Sequence, residues 1–191
     1  MTAARVESAR PSSNAGFTLV ELLVYSVLMI VVLLIVGGFL ISSLRAQATV
    51  ANATQASNTG QLVSRSVGHG VRNAISLSYS PAGVGVPEKL TARTMSSDGT
   101  LICQAWAFDG DEVRTTSSVG RISTSVSTWT LLGNGMRVHT TTGATSLFTK
   151  VNDDQVDLNL KVRVTGSEPV LVQTTSVSRQ PISMTGAPCF P

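Results

Sequence analysis

The chain of 191 residues has room for one ordinary domain plus an appendage. Only 13% of its residues are charged and 42% are hydrophobic, which excludes disorder driven by charge. Two cysteines and two histidines exclude a dense disulfide framework or a multi-ligand zinc domain, and a net charge of +3 does not by itself imply a nucleic-acid partner.

Residues 1–16, MTAARVESARPSSNAG, form a basic, apolar-poor flank carrying Arg5 and Arg10. From Phe17 to Leu44 there follow 28 residues with one charge, Glu21. As a helix this run spans about 42 Å, against a hydrocarbon core of roughly 30 Å, so it reads as a transmembrane segment. A buried helix of a small soluble protein is the alternative, but it would show a polar face, and this run has none. The basic flank predicts a cytoplasmic leader and places everything after Arg45 outside the cytoplasm; Arg45 alone flanks the far side, so the bias is modest. A secretory signal peptide has its apolar stretch before the small residues of the cleavage site. Here Ala15 and Gly16 come first, and the order is inverted.

The junction Gly16-Phe17-Thr18-Leu19-Val20-Glu21-Leu22-Leu23 resembles the processing site of type IV prepilins and type II secretion pseudopilins. The similarity is close over residues 10–45 and only general afterwards. It implies that a membrane prepilin peptidase cuts between Gly16 and Phe17 on the cytoplasmic side, and that Phe17 is then N-methylated. Gly16, lacking a side chain, lets an extended backbone approach a peptidase cleft closely. Glu21 is costly in a bilayer and is therefore a functional candidate with a partner to be named. The resemblance implies that this partner is the charged amino terminus of a neighbouring subunit in a filament. An interfacial carboxylate reaching the headgroups is the alternative. Where many major pilins carry a helix-breaking proline, this chain has Gly37-Gly38. The pair reads either as local helix loosening or as a small-residue surface for close helix packing.

Beyond Arg45 no proline occurs until Pro81. Val63, Val67, Val71 and Ile75 recur every four residues, with Leu62 and Ala74 beside them and Arg65, His69, Arg72 and Asn73 opposite. This predicts one helix from Thr18 to about Leu77, its continuity weakened by Gly60, Gly68 and Gly70. The domain plan is thus a leader (1–16), a transmembrane and polymerisation helix (17–44), an amphipathic continuation (45–77) and a β-rich extracytoplasmic domain (78–191).

From Ser78 onward the period changes to two. Leu101–Phe108 reads as a buried strand, Asp109-Gly110-Asp111 as a turn, and Glu112–Thr116 as the return strand. In Val156–Val164 the apolar residues alternate with Asp157, Asn159, Lys161 and Arg163, and Gly166-Ser167-Glu168-Pro169 turns the chain into Val170–Val177. The expected fold class is α+β: a long N-terminal helix with one antiparallel sheet packed on its second half. The resemblance implies the same pilin-like architecture. Cys103 and Cys189 lie on the exported side, where a disulfide between them is permitted; separate buried thiols are the alternative.

Catalytic and metal signals are weak. His69 and His139 join no cysteine or carboxylate at ligand spacing. Asp109, Asp111 and Glu112, or Asn152, Asp153, Asp154 and Asp157, lack the dense oxygen spacing of a calcium loop and read as turns. No hydrolase elbow or phosphate loop occurs, so neither an enzyme nor a cofactor is expected. Arg65, Arg72, Arg93, Arg114, Arg121, Arg137, Arg163 and Arg179 are dispersed, and a DNA-binding face would require folding to gather them beside Trp106 or Trp129. Residues 46–191 hold 20 charges but 38 serines and threonines, so their polarity comes largely from hydroxyls, which suit strands.

The reading is a minor pilin or minor pseudopilin, similar to the W-type of pili or the J-type of secretion systems; the tail Ser176-Val177-Ser178-Arg179 adds a faint likeness. Its implied partners are other pilin subunits, prepilin peptidase and methyltransferase, the inner-membrane assembly platform, and membrane lipid before assembly. The alternative is a filament-tip binding subunit for adhesion or DNA uptake, with nucleic acid weakly supported as a partner.

Overall fold

The computed structural model describes residues 18–140, 145–166, 168–181 and 189. The chain divides into two units, residues 1–46 and 47–191, and a single helix, α1 (Leu19–Arg72), contributes to both. The first unit is the apolar helical segment. The second combines the later turns of α1 with two antiparallel sheets, the α+β class expected.

In the second unit the buried helix positions are Ala56, Gly60, Val63, Val67, Gly68, Gly70 and Val71. The spacing of Ala56, Gly60, Val63, Val67 and Gly70, alternately four and three residues, draws one stripe along the helix, which Gly68 and Val71 widen. Gly60 and Gly70 do not interrupt the helix; they are where it approaches the sheets most closely. A Cβ on Gly60 would lie 2.7 Å from Val172 Cγ2, and one on Gly70 would collide with the Trp106 ring. Leu62, expected beside the stripe, is instead exposed.

The helix stops at Arg72 and not near Leu77. Residues Ala74–Ser80 form the first strand, β1. The four-residue recurrence through Ile75 coincides with a strand alternation, and the strand wins because β2 (Glu88–Met95) pairs with it from Ser80↔Lys89 to Ala74↔Thr94. A register shift between Ala74 and Ser76 buries Ala74 and Leu77 together. Asn73 and Arg179 close the helix: Asn73 Nδ2 donates to the His69 carbonyl at 3.1 Å, and Arg179 N–H to the Arg72 carbonyl at 3.0 Å.

The first sheet has the order β1-β2-β3-β4-β5, with β3 at Leu101–Asp109, β4 at Glu112–Ser118 and β5 at Thr130–Gly133. The β3–β4 hairpin turns as expected. Gly110, at the first central position, has φ of 64°, as a type II′ turn requires. The second sheet contains β6 (Met136–Val138), β7 (Phe148–Lys150), β8 (Gln155–Val162) and β9 (Val170–Val177). β9 pairs along all of β8, so β6 and β7, which pair with its two halves, share the opposite edge. One sheet was expected. Two form, and the second was not anticipated because β6 and β7, three residues each, carry no long alternation to read.

The apolar faces of both sheets meet the helix stripe in one core. Trp106, Leu90 and Val113 come from the first sheet, Phe148, Leu158 and Leu160 from the second, and Val63, Val67 and Val71 from the helix. Each such fully buried side chain contributes about 1.5–3 kcal/mol relative to exposure. Trp106 is anchored as well as buried, its Nε1 donating to Ser66 Oγ of α1 at 2.9 Å. The far face of the first sheet carries a second, smaller cluster of Ala105, Ala107, Val126 and Trp129. Both tryptophans are thus packed, and neither offers a free ring for base stacking.

Candidate functional site

The segment singled out by the sequence begins at the start of α1. Thr18 is the residue before the first helical turn, and its Oγ1 accepts the Glu21 N–H at 3.3 Å. The spacing Thr18-Leu19-Val20-Glu21 is that of a capping box, a local signal the sequence reading passed over. Glu21 thereby sits in the first helical turn, where the positive end of the helix dipole favours a carboxylate. The hydroxyl of Tyr25, one turn on, donates to Glu21 Oε1 at 3.3 Å, and Ser26 Oγ donates to the Leu23 carbonyl at 2.8 Å. These polar groups find partners within the helix itself, as a hydrocarbon surrounding demands. Around them the large side chains from Leu19 to Leu44 are exposed. The helix is long and apolar enough to cross a membrane. Gly16 and Phe17 lie outside the described residues.

Residues 11–37 match the family described as the prokaryotic N-terminal methylation motif. This motif indicates a precursor of the type IV pilin or pseudopilin type. No match was found among curated proteins or among solved structures. The motif points to a structural subunit that assembles with other pilins. The single N-terminal apolar helix is consistent with the single-pass membrane anchor typical of pilins.

Outside that motif, Cys103 of β3 and Cys189 form a disulfide across 86 positions. By strand alternation Cys103 shares the face of Ala105 and Ala107, so the bridge ties residue 189 to the side of the first sheet turned away from the helix.

The two histidines stay apart. His69 is exposed and faces Asn73, while His139 N–H donates to the Asn159 carbonyl at 3.2 Å. Among the described residues no group of three or more His, Cys, Asp or Glu side chains could hold a metal ion. Several of the turn carboxylates are engaged: Glu112 pairs with Arg114 at 2.7 Å, Asp153 with Lys150 at 2.8 Å, and Asp157 accepts from Thr175 at 2.7 Å. The arginines are less scattered than their sequence positions imply. Arg65, Arg72 and Arg179 line one hollow with His69, and Arg137 and Arg163 line another.

The sequence reading missed Glu88. It is 2% exposed, on β2, and its carboxylate accepts the backbone N–H of Leu147 at 2.9 Å and of Phe148 at 2.6 Å. Burial raises its pKa above the ordinary carboxylate value, against the lowering effect of those two bonds and of Tyr79. The Tyr79 phenol is itself pushed up, chiefly by burial, and so remains a donor. The role of the Glu88 carboxylate is to join β2 to β7, and a Glu within Pro87-Glu88-Lys89-Leu90 gives no hint of that in one dimension.

Proposed function

We propose that the chain is a minor pilin or minor pseudopilin, a structural subunit of a type IV pilus-like filament. In this reading prepilin peptidase cuts between Gly16 and Phe17, Phe17 is N-methylated, and the domain beyond residue 45 lies outside the cytoplasm. The helix first anchors the subunit in the membrane and then packs against other helices in the filament. N-methylation preserves the positive charge of the new amino terminus, so Glu21 of one subunit has a cation to meet on its neighbour. In the low-dielectric filament interior that pairing offsets the cost of burying each charge alone.

The observation that carries the reading is the methylation motif at residues 11–37 together with the uncharged run Leu22–Leu44 that begins within it, Glu21 being the one charge at its start. The test is mass spectrometry of the amino-terminal peptide from membranes and from sheared filaments. N-methylated Phe17 as the first residue in both fractions is the expected result. An intact leader in the filament fraction, or a cut elsewhere, defeats the assignment.

A further inference from the structure

β9 is an edge strand. Among the described residues it pairs with β8 and with no other strand, which leaves alternate N–H and C=O groups unpaired along its outer side. Its eight residues, Val-Leu-Val-Gln-Thr-Thr-Ser-Val, contain no charge and no proline. Edge strands of this length are normally protected by such residues, because an unprotected edge accepts another strand.

The neighbourhood of that edge is strongly basic. Thr174 and Ser176, on the side of β9 turned toward the helix, line a hollow of about 540 Å³ with Arg65, His69, Arg72 and Arg179. Among the described residues no carboxylate lines it. Among the described residues Arg65 bonds only the neutral Gln61, and the two ion pairs, Arg114–Glu112 and Lys150–Asp153, lie elsewhere. The backbone bond from Arg179 to Arg72 keeps their two side chains at the same rim.

We propose that the outer edge of β9 docks an extended acidic segment of a partner protein, which joins the second sheet as a further strand and sets its carboxylates over Arg65, Arg72 and Arg179. A strand added about 4.8 Å beyond β9 carries its helix-side residues level with Thr174 and Ser176, directly above the hollow. An Asp or Glu there reaches the guanidinium groups in charge-assisted bonds. Its alternate residues lie beside Leu171, Gln173, Thr175 and Val177, which are exposed and uncharged. The recognised segment therefore alternates acidic with apolar or neutral residues. Another copy of this chain fits poorly: Asp109, Asp111 and Glu112 are held in the β3–β4 hairpin turn, and Asp153 is paired with Lys150. A nucleic acid would use the arginines but leave the strand edge unused.

The test uses the full chain in detergent micelles and fluorescent eight-residue peptides followed by anisotropy. An alternating Asp–Val peptide is expected to bind saturably and an alternating Lys–Val peptide not to bind. N-methylation of one alternate set of peptide amides should abolish binding and of the other set should not. The double variant Arg72→Gln, Arg179→Gln should bind about tenfold more weakly with an unchanged circular dichroism spectrum and Tm. Failure of the Asp–Val peptide to bind, equal behaviour of the two N-methylated peptides, full affinity in the double variant, displacement by inorganic phosphate or an oligonucleotide at matched charge, or self-association of the chain through β9 in place of peptide binding would each overturn the proposal.

Discussion

Glu88 of β2 and Phe148 of β7 join the two sheets: the Phe148 N–H donates to Glu88 Oε1 at 2.6 Å, while the neighbouring Leu147 N–H takes Oε2 at 2.9 Å. Strands 60 positions apart are thus held by one carboxylate that satisfies two backbone donors at the core. Glu88→Gln keeps the shape but turns an NH2 group toward one of those donors. It is expected to cost about 1–3 kcal/mol in denaturant unfolding followed by tryptophan fluorescence.

The same group sets a pH dependence. Its folded pKa is raised by burial above the unfolded value of about 4.3. The stability it contributes is therefore fully present below that unfolded value and is lost as pH rises through the raised folded value. The advantage of the native chain over Glu88→Gln should accordingly shrink from acid toward neutral pH. An advantage that grows over that window would mean that the two N–H bonds outweigh burial.

This pairing also shows where one-dimensional reading stops. The β8–β9 and β3–β4 hairpins were legible because strict alternation and turn residues are local properties, and β8 buries Val156, Leu158, Leu160 and Val162 as expected. The helix stripe was legible for the same reason at Val63, Val67 and Val71. Glu88 was not, since a lone Glu in a half-polar strand looks solvated until β7 is placed against it. Gly60 and Gly70 misled in the opposite direction: propensity marks them as weak points, whereas close approach to Val172 and Trp106 is why they are there. At the N-terminus the pattern of residue types, and not any long-range contact, carried the reading, so the apolar helix was evident from the start.

The glycines give a paired prediction. Gly70→Ala should destabilise the domain by about 1–3 kcal/mol, because its Cβ needs the space held by the rigid Trp106 ring, and should shift the tryptophan emission. Gly37→Ala meets nothing within 4 Å among the described residues and should leave the isolated subunit as stable as before. If Gly37→Ala nonetheless lowers the yield of sheared filaments, the Gly37-Gly38 pair is a packing surface between subunits. Undiminished filaments would favour the reading of helix loosening.

The disulfide fixes Cys189, two positions before the last residue of the sequence, to β3. Closing a loop across 86 positions stabilises by about 4–5 kcal/mol on chain-entropy grounds. Cys103→Ser, Cys189→Ser should therefore unfold at markedly lower denaturant than the oxidised chain and match the reduced one. Alkylation with and without reductant, read by mass, checks the bridge directly; two free thiols in exported protein would refute it.

Under the proposed function, processing and assembly separate at Gly16 and Glu21. Gly16→Lys places a long charged side chain where the peptidase must close on the backbone, so the precursor should accumulate at full length in membranes. Mature-size protein in that variant would count against cleavage after Gly16. Glu21 lies beyond the proposed cut, its N–H capped by Thr18 and its carboxylate reached by Tyr25, so Glu21→Ala should leave cleavage and insertion intact. What it removes is the carboxylate available to a neighbour's amino terminus. An unpaired charge in a low-dielectric interior costs several kcal/mol, about 3–5 when one partner of a buried pair is deleted, which corresponds to a loss of incorporation of more than about a hundredfold. The variant should therefore be abundant as processed protein in membranes and scarce in sheared filaments. Normal incorporation of Glu21→Ala would leave the carboxylate with its local role alone, the hydrogen bond it accepts from Tyr25.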